Sequence, residues 1–433
     1  MSRSYTVKSG DTLVKVSTKE YGTYKNWRKI LAANPQLTGR KTSYDGVPLL
    51  YPGDVLVIPS DVEEPEKTVE KTPELISKSI NLEDAAEDEF SIFIDGKLYG
   101  GFTGYTVKMS MDSLDAFSFS APWEDDENLG KVLQPFTFKE CAVYFKRKLL
   151  FLGRLLTSAP EVSPDSRTIN IQGYPICGVL NDCCIPVSKY PPSYNGMTLK
   201  QIAEDVCAPF GVKVVFSENP GAALDKVEYS IGTKILEFLK KLAEQRNFVF
   251  TNDANGNLVF WKVPEESTRV VFKEGERPFV SCKVSFKQQE MFSHLTGFTK
   301  TEKGQRALQF TYENKLLTSK GVFRPTSFVC EDVKGKTELE KAVKAKAGQM
   351  FVNCCSYELT VYGCEDKDGD LFSKGMSVSV YAPSAMIYRE TKFQVQEIEI
   401  KRSDSEGVQT TFKLMLPDSI NGTIPAKLPW EKE

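Results

Sequence analysis

The chain has 433 residues, 41% of them hydrophobic and 26% charged, and a formal net charge of −3. At roughly 150 residues per domain that length gives about three domains with sizeable cores. The slight negative balance argues against general nucleic-acid binding, which wants a basic face, so no nucleic-acid sequence recognition is expected. No apolar run reaches the roughly 18 residues of a membrane span, and MSRSYTVKSG lacks the apolar core of a secretion signal. Folding in a cytoplasm is the expectation that follows.

The first break in the chain is one of charge. Residues 1–60 carry nine Lys or Arg against four Asp or Glu, a balance of +5, whereas residues 61–89 carry three against eleven, a balance of −8. The second stretch has two prolines and no glycine. It has too little apolar surface to offset its ordering, and its like charges favour an extended linker.

Within 1–60, Tyr5-Thr6-Val7 reads as a strand, and Gly10-Asp11-Thr12-Leu13 reads as a turn opening a helix. Asp11 or Thr12 is placed to cap that helix, with Leu13, Val16 and Tyr21 on its inward face. Asn34-Pro35 follows a second helix, and Pro52-Gly53 leads into a closing strand at Leu56 and Ile58, ended by Pro59. This set resembles a LysM domain, a βααβ module. The resemblance implies that Gly10, Asp11, Thr12, Asn34 and Pro35 border the groove where wall-enzyme LysM modules hold N-acetylglucosamine glycans. Here the loop after Asn34-Pro35 is lengthened by QLTGRKTSYDGV, and phage tails also use such modules as docking pieces. Docking is the expectation, and peptidoglycan binding the alternative.

From residue 90 the pattern changes to period two. Phe90, Ile92 and Ile94 alternate before an Asp95-Gly96 turn, followed by Tyr105, Val107, Met109 and Met111, then Phe117, Phe119 and Ala121. With CAVYF, LLFLGRLL and TINIQGY, these short strands predict an antiparallel β domain over 90–175. NGMTLKQIAEDVCAPFGVKVVF then predicts a helix capped by Thr198, with Leu199, Ile202, Ala203 and Val206 on one face, ended by Pro209 and Gly211 before a strand. TKILEFLKKLAEQRNFVFTNDANGNLVF repeats helix and strand, with an Asn255-Gly256 turn to a further strand. These units predict an α/β domain over 176–265. Residues 266–425 return to strands, notably MSVSVY, KFQVQEIEIK and QTTFKLML, with a helix at KTELEKAVKAKAGQMF opened by a Thr337/Glu340 capping-box pattern. The expected fold class is α+β multidomain, with two β-barrel domains flanking the α/β domain.

Residues 90–420 resemble the late-control, or tail hub, family of contractile-tail phages, which also forms the hub end of type VI secretion spikes. The resemblance rests on an ordered set of stretches: Tyr105-Thr106-Val107 through LDAFSFSAPW, LLFLGRLLTSAPEVSPDSRTINIQGYPICGVLNDCCIP, MTLKQIAEDVCAPFGVKVVF and LEFLKKLAEQRNFVFTNDANGNLVF. It implies a homotrimer whose six tube-like barrels match a hexameric tail tube. It also implies contacts with the tail tube protein, a separate spike protein, other baseplate proteins and the tape-measure protein. The implied place is the virion tail baseplate, assembled in the host cytoplasm. The alternative is a wall-targeted hydrolase or adhesin that uses the N-terminal module as its anchor.

Chemistry is sparse. The single histidine, His294, sits in the strand-like FSHLTG, where a structural role is expected. Gly335-Lys336-Thr337 imitates the end of a phosphate loop, but Cys330 stands where that motif needs glycine. Asp366, Asp368 and Asp370 with Gly369 imitate a calcium loop, but the closing glutamate is missing and a solvated turn is expected. The ten cysteines form no CxxC pair and are read as buried thiols, with a disulfide formed after release as the alternative. No catalytic residue, cofactor or metal is expected, and the protein is read as a non-enzyme.

Overall fold

The computed structural model describes residues 3–8, 11–21, 27–37, 40, 48–59, 90–123, 127–190, 193–246, 248–262, 268–299, 307–330, 333, 335–403, 406–417, 424–425 and 427–432. The linker 61–89, Gly10 and most of the lengthened loop lie outside these residues. The chain divides into two compact units, Met1–Leu75 and Ile76–Glu433.

In the first unit the described elements follow the βααβ order: β1 (Arg3–Thr6), α1 (Leu13–Tyr21), α2 (Trp27–Ala32), a single turn at Pro35–Leu37, and β2 (Val55–Ile58). β1 and β2 pair antiparallel, Arg3 against Ile58 through Thr6 against Val55. The core is small: Val7, Leu13, Val16, Ile30, Leu37, Leu56 and Ile58. Thr12, not Asp11, caps α1, its Oγ1 accepting from the Lys15 amide at 3.2 Å. Arg40 and Asp54 close the module with a bidentate ion pair at 2.5 and 3.1 Å.

The second unit starts with β3 (Phe90–Ile94), β4 (Lys97–Tyr99), β5 (Gly104–Ser110), β6 (Ala116–Pro122), helix α3 (Glu127–Val132), β7 (Glu140–Phe145), β8 (Lys148–Val162) and β9 (Arg167–Pro175). Phe102, Tyr105, Phe117, Phe119 and Phe151 pack on one face, with ring centroids 4.5–6.5 Å apart. Gly173 faces Phe117 across the β6–β9 pair, where a Cβ would lie 2.5 Å from that ring, so only glycine lets the strands close there. Alternation predicts one buried face for β3, but all five of its residues are buried. The cause is a second layer, in which Phe93, Ala142, Tyr144 and Leu152 pack with Ile176 on the opposite side.

An α/β lobe follows. It holds helix α4 (Val179–Asp182), β10 (Ser193–Met197), α5 (Leu199–Cys207), β11 (Val214–Phe216), β12 (Leu224–Glu228), α6 (Ile235–Glu244), β13 (Val249–Asn252) and β14 (Leu258–Trp261). Thr198 and Gln201 complete a capping box on α5, and Gly211 ends the following turn in the left-handed region. Leu199, Ile202, Ala203 and Val206 are buried against α6 residues such as Leu239 in a core of their own.

The remaining elements are β15 (Thr268–Lys273), β16 (Phe279–Phe286), β17 (His294–Thr299), β18 (Gln309–Glu313), α7 (Lys315–Thr318), β19 (Pro325–Cys330), α8 (Lys336–Cys354), β20 (Cys355–Tyr362), β21 (Ser377–Ala382), β22 (Ile387–Ser403) and β23 (Gly407–Met415). The sequence predicts separate β domains at 90–175 and 266–425. In the structure their strands share one 13-stranded sheet, ordered β16-β20-β23-β22-β5-β6-β9-β8-β7-β3-β4, with β21 pairing β22 and β15 pairing β21. The join is β5 against β22, Ser110 to Glu397 through Tyr105 to Arg402. One apolar core accordingly runs from Phe90 to Phe412 and Leu428.

Two further differences concern the helix at 336–354. The Thr337/Glu340 capping box does not form: α8 starts two residues earlier, its N-cap is Gly335, and no side chain caps it. Glu340 instead takes a hydrogen bond from Lys344 at 2.7 Å, one turn on. α8 also covers a separate three-stranded sheet, β18-β17-β19, through Leu295, Leu339, Val343 and Ala347. A Cβ on Gly297 would fall inside the Val343 side chain, so this helix sits directly on the β17 backbone.

Candidate assembly surfaces and the joint between lobes

The five N-terminal positions singled out in the sequence divide by role. Asp11 Oδ2 accepts from the Tyr5 hydroxyl at 2.8 Å and the Lys8 amide at 2.9 Å. The Lys8 N–H, then the Tyr5 hydroxyl, hold its carboxyl below the ordinary carboxylate range. Thr12 is spent on the cap of α1. Asn34 is fully buried: its Nδ2 donates to the carbonyls of Ile30 (2.6 Å) and Val57 (2.8 Å). Its Oδ1 accepts from the Val57 amide (2.8 Å) and Gln36 Nε2 (2.9 Å). Pro35 is exposed and opens the turn after α2. Asn34 thus ties α2 to β2, and its polar atoms are turned inward.

What β2 presents outward is apolar. β2 has Leu56 and Ile58 inside, leaving Val55 57% and Val57 41% exposed, with Leu49 and Tyr51 also exposed. Single exposed apolar residues are ordinary, whereas a cluster marks a contact surface.

Among the described residues of the β body the most exposed large apolar side chain is Phe136, at 93%, with Phe138 at 56% two residues on. Both have left-handed backbone, φ 63° and 48°, which costs a bulky residue on the order of 1–2 kcal/mol each. The loop is anchored by Ser158 Oγ donating to the Leu133 carbonyl at 2.7 Å and Thr137 Oγ1 to the Gln134 carbonyl at 2.8 Å. Beside it runs the distal half of β8, exposed at Leu156 and Val162. The cleft between loop and strand holds about 40 Å3, room for no more than a few waters.

A third feature lies where lobe and body meet. Lys374 Nζ is 2.8 Å from both carboxylate oxygens of Asp115, 2.7 Å from Thr251 Oγ1 and 3.1 Å from the Asn252 carbonyl. No motif or periodicity in the sequence singles out any of these four residues. They are 259 positions apart at the extreme, and nothing local marks them.

The residues read as chemically silent sit in structural settings. His294 Nδ1 pairs with Ser293 Oγ at 2.9 Å, and its ring lies 5.5 Å from Phe323. Asp366 Oδ1 accepts from the amides of Asp368 and Asp370 at 2.9 and 3.1 Å, closing a hairpin turn. Among the described residues no three His, Cys, Asp or Glu side chains gather at metal-binding spacing. All ten cysteines are free, and Cys184 is the exposed one. Among the described residues no helix is long and apolar enough to cross a membrane.

The fold is that of phage tail proteins. The 43 kDa tail protein of prophage MuSo2 from Shewanella oneidensis superposes with a TM-score of 0.67 at 23% identity, over 77% of this chain and 99% of that one. A tail protein from Neisseria meningitidis MC58 gives 0.66 at 19% identity, over 77% and 98%. More particularly, residues 177–262, the α/β lobe, match the family described as baseplate hub protein gp44-like, second domain. The baseplate hub protein gp44 of Escherichia phage Mu is 21% identical over 341 residues, 74% of this chain and 86% of that protein. These relatives carry names for places in a tail, none for a reaction.

Proposed function

We propose that this chain is a baseplate hub subunit of a phage-type contractile tail. Three copies form a ring that adapts the hexameric tail tube to a central spike, and the N-terminal module docks among neighbouring baseplate proteins. The observation that carries the reading is the gp44-like lobe at 177–262, set between the two halves of one tail-protein-type sheet. Exposed Phe136 and Phe138, held outward by strained backbone, supply the apolar anchors that a subunit contact uses. In this reading the chain works in the virion after assembly in the host cytoplasm. It touches the tube protein, the spike, the tape-measure protein and other baseplate proteins, and catalyses nothing.

The N-terminal module docks to protein and not to glycan. Supporting this are the inward use of Asn34 and the apolar strip at Val55 and Val57. Native mass measurement of the purified chain tests the main reading, with three copies expected and a charged Phe136→Glu variant shifted toward monomer. A wild-type chain that stays monomeric at tens of micromolar and is absent from the particle overturns it. Peptidoglycan pull-down tests the second part, with no retention expected.

A further inference from the structure

The β body and the α/β lobe have separate apolar cores, so their mutual pose depends on the seam between them. At its centre the Asp115 carboxylate accepts from Lys374, from Asn252 Nδ2 at 3.0 Å and from the Ser110 amide at 3.1 Å. The Asp115 amide returns a bond to Asn252 Oδ1 at 2.9 Å, and Thr251 Oγ1 donates to the Ser110 carbonyl at 2.7 Å. Three stretches meet here: the turn between β5 and β6, strand β13 of the lobe, and the segment ahead of β21. The Asp115 side chain is 5% exposed and that of Lys374 18%. Further hydrogen bonds cross the seam, Trp261 Nε1 donating to the Met111 carbonyl at 2.9 Å and the Leu152 amide to the Ala254 carbonyl at 2.9 Å, beside apolar contacts of Leu114 and Ile176.

A buried charge pair adds little net stability, but removing one partner leaves an uncompensated charge and is severe. A hydrogen-bonded pair is also directional, so it selects one relative orientation where greasy packing would tolerate several. We propose that Asp115–Lys374 is a catch that holds the lobe 176–262 in one pose on the β body. With the catch closed, lobe and body move together. With it open, the lobe is free to turn about its two chain crossings while both cores persist.

Amide hydrogen exchange by mass spectrometry on the full-length chain tests this, comparing wild type with Lys374→Met and Asp115→Asn. Exchange at the β13–β14 hairpin and in the 110–116 turn should quicken by about a hundredfold in each variant. Amides of α5, α6, β22 and β23 should keep their wild-type rates, because they belong to the two cores. Lys374→Gln, which keeps a donor at the less buried partner, should give an intermediate effect and serves if Asp115→Asn fails to fold. Unchanged protection at the hairpin in Lys374→Met and Lys374→Gln overturns the proposal. So does acceleration of α5 and α6 by the same factor, since the joint would then be part of the lobe's own fold.

Discussion

Replacing Asn34 by Ala should remove a large share of the N-terminal module's stability while the second unit stays intact. The side chain makes four hydrogen bonds between 2.6 and 2.9 Å, three of them to backbone groups of Ile30 and Val57. Each such bond contributes roughly 1 kcal/mol, and a buried group left unsatisfied costs about 1–3 kcal/mol. Water reaching the half-exposed Val57 edge recovers part of this, so about 2–4 kcal/mol is the expected loss. A module of this size has on the order of 3–8 kcal/mol in total, and among the described residues its core contains seven buried apolar side chains. Amide exchange of β1 and β2 in the full chain measures the effect, with acceleration of at least about thirtyfold expected and no change in β22 or β23. Wild-type protection of the Val57 amide in the variant would refute the assignment of Asn34 as the tie between α2 and β2.

Gly297→Ala should lower the thermal midpoint in scanning calorimetry by an amount corresponding to about 1–3 kcal/mol, because the new methyl meets Val343 and α8 must shift. Burial pushes the thiols of Cys207, Cys355 and Cys364 up to about 12 from an ordinary value of 9.0. The folded state therefore keeps protons that the unfolded state releases above pH 9. Stability should be insensitive to these groups below pH 8 and fall above pH 9, by about 1.4 kcal/mol per pH unit for each thiol, as denaturant titrations at pH 8, 9.5 and 10.5 would register. Brief maleimide treatment of the folded chain should modify Cys184 ahead of the five buried cysteines, as peptide mapping would establish. Val55→Lys should weaken retention of the N-terminal module in assembled particles without unfolding it, since that side chain already faces solvent.

How far the fold is legible depends on whether a pattern is local. The alternation of Phe117 and Phe119, or of Ile398 and Ile400, marks strands because one face meets the core. Thr198 and the apolar stripe behind it mark α5 for the same reason. Pairing partners are not local, so nothing in KFQVQEIEIK announces that β22 will run beside β5 and fuse two apparent β domains into one sheet. The small β17–β19 sheet escaped for a related reason: its β17–β19 pair is parallel and depends on a crossover, while β18 and β19 read as ordinary half-exposed strands. The Thr337 cap failed because Gly335 already supplies the extended residue before the helix. Asp115 and Lys374 carry no signal at all, since each is a common surface-type residue whose burial exists only after three distant stretches meet.

The internal bonds of the N-terminal module bear on what it can touch. A glycan site in a shallow groove is built from polar side chains that remain unsatisfied until sugar hydroxyls arrive. Here Thr12 is used by a helix cap, Asn34 by three backbone groups and Asp11 by Tyr5 and Lys8. In the proposed reading, a sugar would have to displace bonds that brace this small core. The outward valines of β2 have no such prior commitment, and covering them gains on the order of 25 cal/mol per Å2 of apolar surface. In the proposed reading, with Asn34, Asp11 and Thr12 already bonded within the module and Val55 and Val57 left outward on β2, the module packs against protein.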